Sequence, residues 1–223
     1  MNPVLFFDIE TTANPDAIAF LPEPVAPANY KDADKIAQYV SEKKTEQIVQ
    51  APLDADLGKV IAIAMQFGLD NQVEVRLVGD PETATEADLI KSFWSVYARA
   101  GGRSCGYNII GFDLPYLLRR SFELGINVPV FPRLAKYQTE PTIDLMGILY
   151  NWGTPRGLKW VCKRYGIENP LPDLNGSQVS DMERETLRKY AGNDVYLAVE
   201  LYKRMCGVYF PALSAFQPAF LPR

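Results

Sequence analysis

Val4-Leu5-Phe6-Phe7-Asp8-Ile9-Glu10-Thr11 is the stretch on which the fold turns. A near-continuous apolar run from Pro3 to Ile9 reads as a strand buried on both faces, since a strand with one face in water would alternate. Two acids interrupt the end of the run. Asp8 and Glu10 stand two residues apart, so on a strand both point to one face. A doubly buried strand is a central one, and its carboxyl edge is where open α/β sheets bind ligands. Paired carboxylates repel each other and resist burial, and a cation relieves both costs. Taken alone, the pair also reads as a solvated strand end that opens into a loop.

Outward from this strand, the chain punctuates itself. Residues 12 to about 58 read as an insertion broken by Pro15, Pro22, Pro24, Pro27 and Pro52, with a charged helix near Asp32 to Val49. Val60 to Phe67 is a second strand. Asp70-Asn71 turns it into a third, where Val73, Val75 and Leu77 alternate. Helical periodicity covers Glu86 to Ala100. Ser104 to Tyr107 is a short strand, and a helix follows around Pro115 to Leu124, with Pro115 suited to a first turn. Thr142-Ile143-Asp144 ends a fifth strand or begins a helix. Leu158 to Tyr165 is a short helix closed by Gly166. Ser180 and Glu183 form a capping box for a long helix reaching about Cys206. The tail from Val208 to Arg223 is apolar and Pro-punctuated, suited to packing on the body or on a partner protein. This order implies an α/β fold: a mixed five-stranded sheet with helices on both faces, in a single domain over 1–223.

Composition excludes whole classes of chemistry. The 223 residues contain no histidine, which removes histidine-based zinc sites, Ser-His-Asp triads and histidine bases. There is no Gly-rich phosphate loop of Walker or dinucleotide type. Cys105, Cys162 and Cys206 are widely spaced and odd in number, which reads as reduced thiols in a cytoplasmic protein. No apolar run is long enough to span a membrane, and no basic segment precedes the first apolar run as in a signal peptide. The net charge of −4 is the wrong overall sign for a nucleic-acid binder, which must then rely on local basic patches or bound cations.

The last helix adds a third acid. Its apolar stripe runs Leu187, Ala191, 194, Ala198, Leu201, Met205, and position 194 is Asp. Asp is almost never fully buried unless paired or metal-bound. Tyr190 lies one turn earlier on the same face. An ion pair between Asp194 and a nearby Lys or Arg is the competing reading. Asp113, just before Leu114-Pro115, reads as a helix cap, a role compatible with facing a metal through its other oxygen. Acids from three segments, converging at one sheet edge without His or Cys, suit Mg²⁺ or Mn²⁺. Two such ions clamp the attacking and leaving oxygens of a phosphoryl displacement.

At this point the residues resemble a known family. Phe7-Asp8-Ile9-Glu10-Thr11 is similar to the first motif of the DEDD 3′→5′ exonucleases, which have a ribonuclease-H-like fold. Gly106-Tyr107-Asn108 followed by Phe112-Asp113-Leu114-Pro115-Tyr116-Leu117 resembles their second motif, in the form found in B-family DNA polymerase proofreading domains. Tyr190-Ala191-Gly192-Asn193-Asp194 resembles the third motif in its tyrosine version (the DEDDy branch). The three occur in the family's order, and the resemblance covers about residues 3 to 206. It points to stand-alone predicted exonucleases related to the polymerase domain.

The resemblance implies a catalytic set of Asp8, Glu10, Asp113, Tyr190 and Asp194. Asp8 would bridge two ions, Glu10 and Asp194 would complete the first site, and Asp113 would hold the second. Tyr190 would orient the attacking water. A phenol with its ordinary pKa of about 10 is a poor base at neutral pH, so activating that water falls to the metal. Thr11, Asn108 and Phe112 lie in or beside the motifs as candidate substrate contacts, although core packing is the competing role for Phe112. Arg119, Arg120, Lys159, Lys163 and Arg164, interleaved with Trp160 and Tyr165, suit either a groove for a single strand or solvated helix faces. Asp144 reads as a helix cap or as support for the acids. The expected activity is 3′-5′ hydrolysis of single-stranded nucleic acid, DNA before RNA. The alternatives are a catalytically silent binding module on the same fold and a phosphodiesterase for short oligonucleotides.

Overall fold

The computed structural model describes residues 3–174 and 176–210. Strand β1 (Leu5–Ala13) leads into a short helix α1 (Pro15–Ile18), the long helix α2 (Ala33–Gln50) and a 3-10 turn (Ala51–Leu53). Strands β2 (Gly58–Phe67) and β3 (Glu74–Leu77), helix α3 (Glu86–Arg99), strand β4 (Ser104–Gly106) and helix α4 (Asp113–Glu123) follow. Strand β5 (Thr142–Asp144) runs directly into α5 (Leu145–Leu149). Helix α6 (Leu158–Arg164), a 3-10 segment (Gly176–Asp181) and α7 (Arg184–Tyr209) complete the chain. The sheet has five strands in the order β3-β2-β1-β4-β5, with β1 antiparallel to β2 and parallel to β4. The expected mixed sheet is therefore present, and β1 is its central strand.

The two faces of β1 explain where its acids go. Leu5, Phe7 and Ile9 pack in one core with α3 and α4, through Phe93, Trp94, Leu114 and Leu117. Val4 and Phe6 pack in the other core, with Ala191, Val195 and Ala198 of α7. Alternation carries Asp8 and Glu10 onto the α7 face. Helix α7 buries twelve residues, among them Leu187, Tyr190, Ala198, Leu201 and Met205. Each large apolar side chain so buried contributes about 1.5–3 kcal/mol, ample to hold a polar residue within the stripe.

Several boundaries differ from expectation, each for a local reason. The first strand runs past Ile9 to Ala13, because Thr11 and Thr12 go on pairing with Val60 and Lys59 after a bulge between Glu10 and Thr11. Thr142–Asp144 is both a strand end and a helix start, since Asp144 caps α5 by accepting from the Gly147 N–H at 3.0 Å. The capping box at Ser180 and Glu183 does not form. Ser180 lies in the 3-10 segment with its hydroxyl 3.1 Å from that of Thr12, and Glu183 occupies the N-cap of α7 without a side-chain bond. Asp113 begins α4, and Phe112 stands at its N-cap. In the insertion, α2 is capped by Asp32 as its charge pattern suggests, and none of its residues is buried. All three cysteines are free and buried. Among the described residues no helix is long and apolar enough to cross a membrane. The tail beyond Phe210 lies outside the described residues.

Candidate active site

The site forms where β1, α4 and α7 meet at the carboxyl edge of the sheet. Asp8 and Glu10 come from β1 and Asp194 from α7. Each offers a carboxylate oxygen, and these atoms lie within 4.8 Å of one another. Asp113 approaches from the opposite face of the sheet. Its Oδ1 accepts the Ile9 N–H at 3.1 Å, so the carboxylate is fixed to the backbone between the two β1 acids. It is 3% exposed, and Glu10 is 8% exposed, too little for water to carry the charge.

The electrostatics follow from this crowding. Burial first, then repulsion from Asp113, Glu10 and Asp194, pushes the Asp8 carboxyl well above the carboxylate range. Burial, then Asp194 and Asp113, does the same to Glu10. Asp113 is raised from 3.8 to about 7, chiefly by burial, with the Ile9 N–H pulling the other way. Asp194 is raised by burial and held back by Lys159, Tyr190 and Asn193. Asp8, Glu10 and Asp194 thus share one cation among the described residues, Lys159, whose Nζ is 3.8 Å from Asp194, and Asp113 is eased only by backbone N–H groups. The donors are hard oxygens, Glu10 and Asp113 are buried and Asp8 and Asp194 half-buried, and their charge is unbalanced, which fits a hard divalent cation.

Tyr190 is buried one turn before Asp194, and its hydroxyl donates to the Asp194 carboxylate. Burial, followed by the surrounding acids, raises the phenol well above its ordinary value. It is no base here, but it is a fixed hydroxyl facing the carboxylates. Lys159 stacks over its ring at 4.3 Å and donates to the Leu174 carbonyl at 2.6 Å. Both readings of Asp194 therefore coexist: it joins the acidic cluster and also contacts a lysine.

The second-motif turn is built to a tight tolerance. Asn108 has φ +68, and its N–H and that of Ile110 both donate to Asp144, at 3.1 and 2.9 Å. Asp144 so holds the turn as well as capping α5. A Cβ at Gly111 would lie 2.3 Å from Asn108 Oδ1, so a larger residue there would have to push the Asn108 side chain aside. Phe112 is half-buried against Tyr116, with ring centroids 5.3 Å apart. The Thr11 hydroxyl donates to the Pro52 carbonyl at 2.7 Å, tying β1 to the insertion.

The expected basic groove is divided. Arg120 is 2% exposed and bound to Glu86, and Arg119 pairs with Asp54 and Asp56, so these two serve the fold. Lys159 reaches the acids. Sequence reasoning offered it only as a groove residue, since nothing in Leu158-Lys159-Trp160 marks which way the lysine turns. Asn193 escaped notice altogether. It is buried on α7, and its Nδ2 donates to Asn169 at 3.0 Å and lies 3.5 Å from Asp194 Oδ1. Its place inside the third motif was the available signal.

Residues 52–209 match a family described as "predicted 3'-5' exonuclease related to the exonuclease domain of PolB". The match begins after β1, so it includes Asp113, Tyr190 and Asp194 but not Asp8 or Glu10. A search of curated proteins finds no match. Among solved structures, the chain is similar to the family B DNA polymerase from the hyperthermophilic archaeon Pyrobaculum calidifontis, with a TM-score of 0.59 and 18% identity. The likeness covers 97% of this chain and 27% of the polymerase. At that identity it speaks for the fold.

Proposed function

The chain belongs to the family of predicted 3′-5′ exonucleases related to the exonuclease domain of PolB, and from that premise we propose that it removes nucleotides from the 3′ ends of single-stranded nucleic acid, DNA before RNA, with two divalent ions. The observation that carries this reading is the convergence of Asp8, Glu10 and Asp194 within 4.8 Å midway along the central strand, just beyond the level at which β4 ends beside it. Three buried or half-buried carboxylates with a single lysine in reach among the described residues leave charge that a bound cation would balance.

Asp8, Glu10 and Asp194 would hold one Mg²⁺ or Mn²⁺, and Asp113, with Asp8 shared, the other. Bound there, such ions would supply Lewis-acid activation of water and neutralisation of charge on the phosphate. Tyr190 orients the attacking water through its hydroxyl, held in place by Asp194 and by Lys159 over its ring, as in the tyrosine branch of the DEDD exonucleases. Lys159 lies near enough to Asp194 to steady it before metal binds. Asn108, Phe112 and Thr11 border the site and contact the terminal nucleotide, Asn108 from a turn fixed by Asp144.

The test is digestion of single-stranded DNA and RNA of graded length, labelled at the 5′ end, in Mg²⁺, Mn²⁺ or EDTA. A ladder shortening from the 3′ end, only with metal and faster on DNA, is the expected outcome. Cleavage confined to the shortest oligonucleotides would move the function to a phosphodiesterase. No cleavage in either metal would leave a binding module.

A further inference from the structure

Helix α6 carries Lys159 into the site, while its outward face takes no part in holding the acids. Val161 and Cys162 are its buried residues. Trp160, beside Lys159, is 52% exposed, a large apolar surface to leave in water. The Arg156 guanidinium lies over its ring, 5.6 Å from the centroid. Arg164 is one turn beyond Trp160, at the i+4 position, and Lys163 follows Lys159 at the same spacing. Tyr165, at the end of the helix, is 42% exposed.

Two facts give this face a direction. The Tyr107 hydroxyl, just past the end of β4, donates to the Arg156 carbonyl, so the start of α6 sits over the same sheet edge as the acids. And while Arg119, Arg120, Arg184 and Arg188 are all ion-paired, Arg156, Lys163 and Arg164 have no carboxylate partner among the described residues. In a chain of net charge −4, unpaired cations around an exposed indole are complementary to a phosphate backbone with bases to stack.

We infer that the Arg156–Trp160–Arg164 face of α6 is the track for the single strand just upstream of the terminal nucleotide, with a base stacked on Trp160 and phosphates on Arg156, Lys163 and Arg164. The inference rests on the exonuclease reading for its orientation and adds residues to it. Because stacking on an aromatic tolerates every base, the track reads length and not sequence.

The experiment measures binding of a labelled oligothymidylate of about 12 nucleotides in Ca²⁺ across a salt series, apart from any cleavage. Trp160→Ala should weaken binding on the order of 10-fold, and Trp160→Phe, which keeps a π face, should recover most of it. Replacing Lys163 and Arg164 together by Ala should flatten the log–log salt slope by about 0.7 for each phosphate that the variant no longer neutralises. Binding by Trp160→Ala equal to wild type, or an unchanged salt slope, overturns the track. If wild type cleaves while Trp160→Ala binds normally, the track fails and the exonuclease reading stands. If wild type does not cleave but its binding depends on Trp160, the exonuclease reading fails, and the face stands as a single-strand binding surface without the orientation given to it.

Discussion

Asp80 is held against helix α7 and Asp194 belongs to it, and the chain treats the two acids in opposite ways. Asp80 sits at the start of the helix, 2.5 Å from Arg184 and 2.9 Å from Arg188, and accepts the Leu77 N–H at 2.8 Å. Burial pushes its carboxyl up, but the backbone bond and the two arginines outweigh it and hold it at about 2. Three turns along the same helix, Asp194 meets Asp8 and Glu10 with Lys159 as the one cation in reach among the described residues, and all three carboxyls are raised. This fold can neutralise an acid with arginines where it needs to lock loop to helix. That it does not do so at the sheet edge marks the second group as a place where charge is left for something else to balance.

The hardest way to break the contrast is to neutralise one acid on each side. Asp8→Asn should take cleavage of single-stranded DNA below detection, since it removes the ligand assigned to both ions. Asp80→Asn, at the same protein concentration and in Mg²⁺, should cleave at the wild-type rate. Cleavage by Asp8→Asn within a few-fold of wild type would move the chemistry elsewhere. Tyr190→Phe should be slower by on the order of 10²–10⁴ in turnover, the usual worth of a positioned catalytic group. It keeps the ring under Lys159, so Mg²⁺ should still raise its thermal midpoint. If its rate is unchanged, the metal site stands and the role given to Tyr190 is wrong.

How much of this contrast was visible in the sequence depends on the range of the interaction. The central strand was legible because an apolar run ending in Asp8 and Glu10 is a local pattern, and so were the hairpin at Asp70-Asn71 and the stripe containing Asp194. The meeting of the three acids followed from phase: even-numbered residues of β1 and the stripe of α7 had to face each other if the helix covered that side. What stayed hidden was decided by partners far along the chain. Arg120 looks like any basic residue on a helix until Glu86, 34 positions earlier, binds its guanidinium through two nitrogens at 2.8 Å. Ser180 and Glu183 have the spacing of a capping box, but Thr12 claims the serine. Asp144 read as a cap, and it is one, yet two of its bonds go to the Asn108 turn. Local rules placed the elements; only interactions across the sheet showed which polar residues were already spent.

Metal should sharpen the comparison by acting on one side only. Without it, the site's carboxyls keep their protons in the folded state above the pH at which the unfolded chain has lost them. For Asp113 that window runs from its ordinary 3.8 to about 7. The native state then binds more protons than the unfolded one, so metal-free stability should fall as pH rises through the window. Millimolar Mg²⁺ or Mn²⁺ should restore it, by about 2.7 kcal/mol when the ion stands at 100 times its dissociation constant. Thermal melts in EDTA and in Mg²⁺ at pH 5, 6, 7 and 8 should therefore diverge with rising pH. Parallel curves would mean that the acids do not hold the ion.

The smallest effect is the most discriminating, because the same chemical change should have opposite signs at the two acids. Asp80→Asn keeps the shape and the oxygen facing Leu77 but removes the charge that two arginines share. Those arginines are 46% and 32% exposed, so solvent already screens them, and the loss should be about 1 kcal/mol, a fall of about 2–4 °C in the melting midpoint. Its stability deficit should vanish as pH falls toward 2, where the native carboxylate itself takes up a proton. Asp8→Asn removes a charge that its neighbours repel and supplies an amide that can donate to them, so in EDTA at pH 8 its midpoint should rise above that of wild type. In saturating Mg²⁺ the order should invert, because wild type gains from the ion and the variant does not. A melt in which Asp8→Asn and Asp80→Asn are destabilised alike in EDTA would show that the site's acids are compensated within the protein after all, with no charge left for a metal to balance.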